Sequence, residues 1–161
     1  MKIQLDYKIE IDVREGNKSK ESLSIFYREA TQAEKKKQET LRKQFEKIYN
    51  KAQKLGKKQV TLNKKAELYE LNGDYEKALG VISSKEKLDN KQDELLEELD
   101  AIGGGDQTAF AEKTSKQRFE TLVSGKDKEK LVKYAEIKGY AALMRDLDVA
   151  KGELEKKQSG E

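Results

Sequence analysis

Acids one helical turn apart are the first place to look for chemistry in this chain. Asp93/Glu97 and Glu94/Glu98 stand at i and i+4, a spacing that sets two carboxylates side by side on a helix. Such pairs hold a divalent cation or serve as acid and base. Helical dimetal sites complete the set with Glu-x-x-His, and the chain has no His. It has no Cys either, which excludes a thiolate nucleophile and a Cys-based zinc site, while the missing His excludes a Ser-His-Asp triad. Gly103-Gly104-Gly105-Asp106 and Ser124-Gly125-Lys126 stand where an anion could meet a helix N-terminus. Neither has the Gly-Lys-Ser/Thr ending of a phosphate loop or the GxGxxG spacing, so both read as linkers and caps. No catalytic, cofactor-binding or metal-ligating residue is assigned, and a non-enzyme is expected.

Two charge blocks remain. Residues 34–58 hold ten Lys/Arg and three Glu, a net of +7. Arg42, Lys43, Lys47, Lys51, Lys54 and Lys58 are the candidate nucleic-acid contacts, since clustered cations neutralise phosphates without reading sequence. Residues 86–106 carry eight acids and two Lys, a net of −6, and could lie antiparallel to the basic block. The seven tyrosines are dispersed, as core residues are, rather than gathered into a base-stacking platform.

Elements must position these groups. The chain has 161 residues, 40% charged and 35% hydrophobic, with no Pro and a net charge of +3. So little apolar material supports narrow helical seams better than a large core. No stretch is long and apolar enough for a transmembrane helix. The N-terminus alternates, unlike a signal peptide, so a cytoplasmic protein is expected.

From Met1 to Arg14 every odd residue is apolar and every even one polar. That period of two predicts a strand over 1–14 with one wet face. Within the chain only Gln59-Val60-Thr61-Leu62 reads as a weak strand partner. The strand therefore needs that segment, a copy of itself, a helix surface or a partner's sheet, and Ile3, Leu5, Tyr7, Ile9 and Ile11 are its candidate partner-binding face. A turn over 15–19 and a long helix over 20–56 follow. Leu23, Phe26, Ala30 and Ala33, then Leu41, Phe45, Ile48, Ala52 and Leu55, step by three and four as coiled-coil seams do. The offset at Lys37 shifts the seam around the helix. Leu41, Phe45, Ile48, Ala52 and Leu55 are the candidate helical docking seam, and Gly56 is the expected C-cap.

Residues 59–102 read as helical pieces around an Asn72-Gly73 turn, with Asp74 capping a helix that carries Tyr75, Ala78, Leu79 and Ile82 inward. Leu62, Ala66, Tyr69, Gly73, Tyr75, Ala78 and Ile82 make the stretch 59–92 resemble one tetratricopeptide repeat. Lys65, Lys85 and Asn90 depart from that pattern. The resemblance implies a helix–turn–helix hairpin. A single copy does not build a solenoid, so the family's peptide groove is not implied. Gly103–Gly105 reads as a flexible linker, followed by a helical pair over 106–158. Ser124–Asp127 is spaced as a capping box, and the last helix is expected over 127–157.

The fold expected is mainly α and elongated, helical and coiled-coil-like, with one N-terminal strand and a helical hairpin in the middle. The function expected is protein–protein interaction or assembly through the strand and the long helix, with a protein partner or a second copy and no cofactor. Non-sequence-specific nucleic-acid binding through residues 34–58 is the alternative.

Overall fold

The computed structural model describes residues 6–13, 21–158 and 160. Ile3, Leu5 and the turn expected over 15–19 lie outside these residues. The fold is mainly α with a small antiparallel sheet of order β1-β2-β3. Two compact units divide it: one of residues 1–36 and 111–161, the other of residues 37–110.

In the first unit β1 (Asp6–Val13) pairs antiparallel with β2 (Glu21–Arg28). The strand partner is therefore not Gln59–Leu62, which is helical, but a segment expected to be helix. The 3-4 steps through Leu23 and Phe26 concealed a second period. Leu23, Ile25 and Tyr27 are buried and alternate with Ser22, Ser24 and Phe26, of which Phe26 is 45% exposed. Aromatic and β-branched residues at period two fit a half-buried sheet. Ala30 precedes the long helix and Ala33 is exposed on it, so neither belongs to a seam. Tyr7, Ile9, Leu23, Ile25 and Tyr27 form one core with Phe119, Val123, Leu131, Leu143, Met144 and Leu147.

Three helices cover that face: α3 (Gln107–Leu122), α4 (Lys128–Lys138) and α5 (Tyr140–Gln158). The helix expected over 127–157 is thus broken in two. Gly139 has φ 91° and ψ 150°, a conformation open essentially to glycine alone. Glu112 on α3 accepts the N–H groups of Tyr140 and Ala141 and so caps α5 across the unit. The capping box expected at Ser124–Asp127 does not form. Val123–Ser124 is instead β3, paired with Phe26 and Tyr27. Asp127 caps nothing with its side chain; its Oδ2 accepts the Ser24 N–H at 2.8 Å.

The second unit holds most of α1 (Gln32–Leu71) and all of α2 (Tyr75–Ile102). Their join is the Asn72-Gly73 turn expected, and Asp74 accepts the Lys77 N–H as N-cap. Gly56 does not stop α1, which runs on to Leu71. The covered line along α1 runs through Leu41, Phe45, Ile48, Ala52, Leu55, Gln59, Leu62, Ala66 and Tyr69, with Tyr49 and Gly56 half-buried beside it. That along α2 runs through Ala78, Val81, Lys85, Leu88, Gln92, Leu95, Leu99 and Ile102, with Asp89 half-buried beside it. Both lines step by three and four without a break, so the offset read at Lys37 is absent from the seam. Of the tetratricopeptide-like positions, Leu62, Ala66, Tyr69 and Ala78 lie on this seam; Tyr75, Leu79 and Ile82, expected to face inward, are exposed.

Gly103–Gly105 is a tight reversal rather than a loose linker. The Gly103 N–H closes α2 on Leu99, and a Cβ at Gly103 would lie 2.2 Å from the Phe110 ring. That ring stacks on Phe45 at 4.1 Å between centroids.

The true start of α1 is marked by Thr31 and Glu34. The Glu34 N–H donates to Thr31 Oγ1 and the Thr31 N–H to Glu34 Oε1, a capping box. Arg28 at the end of β2 grips the same carboxylate at 2.8 and 3.0 Å. The Arg28 hydrogen bonds, then the Thr31 N–H, hold the Glu34 carboxyl at about 2, below its ordinary 4.5. The folded carboxylate thus resists protonation more than the unfolded one. Its stabilising contribution is complete above about pH 4.5 and is lost as pH falls through about 2. Unfolding midpoints measured across that window should fall for the native chain and fall less for Glu34→Gln; equal acid slopes would show the cap contributes nothing.

Candidate interaction site

The sheet brings one strand to an edge. Among the described residues β1 pairs with β2 alone. Which of its backbone groups face outward follows from Asp127. Ser24 stands opposite Glu10 in the register, yet its N–H points the other way, to Asp127. In an antiparallel ladder, alternate residues turn both N–H and C=O toward the same neighbour. Ser24–Glu10 is therefore a non-hydrogen-bonded pair, and Ile25–Ile9 is a hydrogen-bonded one. Tyr7, Ile9 and Ile11 spend their backbone groups on β2. Lys8, Glu10 and Asp12 present theirs to the open edge.

That edge borders a groove. One cavity of about 470 Å³ is lined by Glu10, Ile11 and Asp12 together with Leu131 and Tyr134 of α4 and Leu147 and Ala150 of α5. A neighbouring one of about 370 Å³ is lined by Lys8, Ile9 and Glu10 with Ala150 and Leu154 of α5. Consecutive strand residues point to opposite faces, so cavities lined by three in a row wrap the edge rather than one face. Ile11 is half-buried at this rim. Tyr7 and Ile9, two of the residues expected to meet a partner, are instead covered by the unit's own core.

A polar cluster fixes β2 to the helices behind it. Tyr27 donates to Asp148 Oδ1 at 2.6 Å, and Arg118 donates to both Tyr27 Oη and Asp148. Burial, then the Asp148 hydrogen bond, pushes the Tyr27 hydroxyl far above its ordinary value, so it stays a donor across the physiological range. Lys151 lies over the rings of both Tyr7 and Tyr27. Every member is engaged with another, as a structural lock requires.

The helical seam is not open to a partner. Phe45 and Ala52 are buried against Leu99 and Phe110, with Leu41 and Ile48 packed beside them. Leu55 continues the same covered line. The chain fills this seam itself, which corrects the expectation that it docks something else.

The unbroken register sorts the charges of the hairpin. In an antiparallel pair, residues one position after the second apolar position of each heptad meet on one flank; those one before the first meet on the other. On one flank lie Lys47, Lys51, Lys54, Lys58 and Lys65 of α1 with Lys77, Lys87 and Lys91 of α2, and among them only two acids, Glu94 and Glu98. On the other lie Glu46, Glu67 and Glu70 with Glu86, Asp89, Asp93 and Asp100. Arg42 falls on the acidic side, bonded to Glu39 and Glu46, and Lys43 reaches Glu39 at 3.9 Å. The candidate phosphate contacts therefore separate: Lys47, Lys51, Lys54 and Lys58 share a surface, while Arg42 is elsewhere. Of the acidic block, Glu94 and Glu98 lie along the basic flank, while Glu86, Asp89, Asp93 and Asp100 lie on the opposite one.

Among the described residues no group of three or more His, Cys, Asp or Glu is placed to hold a metal ion, and no helix is long and apolar enough to cross a membrane. No protein-family model matches the chain, and neither a curated protein nor a solved structure resembles it significantly.

Proposed function

We propose that this protein is a non-enzymatic interaction or assembly factor that captures an extended segment of a partner protein on the open edge of β1. The observation that carries this reading is the edge itself: outward N–H and C=O groups at Lys8, Glu10 and Asp12 beside a groove with an apolar wall. An added strand gains main-chain hydrogen bonds there, and side-chain pockets supply selectivity. A residue set beside Glu10 or Asp12 should be Lys or Arg, since opposite charges pair favourably across strands. Its neighbours on the strand should be apolar, to meet Ile11 and the groove wall of Ala150 and Leu154.

The orientation of the backbone supplies the test. Glu10→Pro deletes an outward N–H, a place where an edge strand tolerates Pro. Ile9→Pro deletes an N–H of the β1–β2 ladder. Partner captured from the native source after nuclease treatment should bind Glu10→Pro about tenfold more weakly, the order expected for lost backbone hydrogen bonds, with circular dichroism unchanged. Ile9→Pro should lose the sheet as well. Undiminished binding by a folded Glu10→Pro chain would exclude the edge.

A second reading rests on the lysine flank of the hairpin. Lys47, Lys51, Lys54, Lys58, Lys65, Lys77, Lys87 and Lys91 suit a nucleic-acid backbone laid along two helices. Its affinity would fall steeply between about 50 and 200 mM salt. Strand capture would depend far less on salt.

A further inference from the structure

The opposite flank of the hairpin has a different composition. Across the hairpin seven large apolar side chains are exposed, and five of them, Val60, Tyr75, Leu79, Ile82 and Leu96, fall on the acidic flank. On the lysine flank only Leu68 does. Scattered exposed apolar residues are ordinary, but their segregation to one face marks a contact surface.

The flank also contains a groove of about 620 Å³ between α1 and α2, walled by Tyr49, Gly56, Val60 and Leu96 with Lys57 at its edge. Gly56 is the notable residue. Glycine is the least favourable residue but proline in a helix interior, and α1 runs through it for 40 residues. Nothing within the unit demands glycine there: a Cβ would meet only Gln92 Nε2, at an ordinary 3.7 Å. The missing side chain instead leaves the groove open to a close approach from outside.

We infer that this flank is a docking groove for a basic amphipathic helix of a partner protein, which lies against Gly56 as the third helix of a bundle. The apolar stripe of that helix meets Val60 and Leu96. Its Lys or Arg residues meet Glu86, Asp89, Asp93 and Asp100, which outnumber the one cation lining the groove, Lys57. A second copy of this chain fits less well. Its lysine flank has the right charge but lacks the apolar stripe the groove requires. This surface belongs to the hairpin unit and is independent of the β1 edge.

The probes are two synthetic 21-residue helical peptides with the same leucine stripe, one flanked by Lys and one by Glu. Fluorescence anisotropy against the full chain should give binding of the Lys peptide and at least tenfold weaker binding of the Glu peptide. Gly56→Leu should weaken the Lys peptide at least tenfold while leaving helicity intact, whereas Lys51→Ala with Lys58→Ala should change nothing. Glu10→Pro should leave this affinity unchanged, which separates the groove from the strand edge. Failure of both peptides, or equal binding of the Lys peptide by Gly56→Leu, would overturn the inference. So would self-association in sedimentation that Leu96→Glu disperses, since the occupant would then be a second copy.

Discussion

Phe119→Ala should cost the sheet unit about 3–5 kcal/mol, the usual loss for an aromatic core truncation. The ring is fully buried. It lies in the cluster that joins β1 and β2 to α4 and α5 and contacts the Tyr140 ring at 5.5 Å between centroids. Tyr140 opens α5 and is held by Glu112 from the helix that carries Phe119. The cavity therefore sits where α3, α5 and the sheet meet, a place with little freedom to collapse. Amide exchange at Ile25 and Tyr27 is the suitable measure, because it reports the sheet without requiring both units to unfold together. Protection lost by less than about 1 kcal/mol would mean the sheet is held by something other than this core.

Phe45→Glu should melt the base of the hairpin, at a cost of at least about 3–5 kcal/mol for an unpaired buried charge. The side chain is 2% exposed, stacked on Phe110 and packed with Leu99. Few buried residues share this cluster, so no reserve of apolar contact absorbs the loss. Helical dichroism should drop substantially, and Phe45→Leu should retain most of it. The effect belongs to folding and not to docking, because α2 and Phe110 already cover the seam. A folded Phe45→Glu chain that merely loses a partner would return the seam to the role of an interface.

The elements legible in the sequence were those with one period and no competitor. The alternation through Tyr7, Ile9 and Ile11 made β1 readable from side chains alone, and so did the 4-3 steps from Leu41 to Leu55. β2 was hidden because Leu23, Phe26, Ala30 and Ala33 imitate a seam while Leu23, Ile25 and Tyr27 define a strand. The arbitrating signal was present: Thr31-x-x-Glu34 is a capping box, and it starts a helix only at Gln32. Gly56 misled because a glycine followed by two lysines has the composition of a helix end, whereas the seam carries straight through it. The site was less legible than the fold. Whether Glu10 or Ile9 turns its N–H outward depends on Asp127 bonding Ser24, 103 positions away in sequence. The sorting of charge on the hairpin needed the register of both helices, and net charge along the chain hides it.

Backbone amide exchange along β1 tests the central claim most directly, because it reads hydrogen bonding residue by residue. The open edge predicts fast exchange at Lys8, Glu10 and Asp12 and strong protection at Tyr7, Ile9 and Ile11, with the first three becoming protected when a partner strand binds. Protection of Lys8, Glu10 and Asp12 in the free protein, with Tyr7, Ile9 and Ile11 exchanging freely, would contradict it and remove the edge on which the proposed function rests.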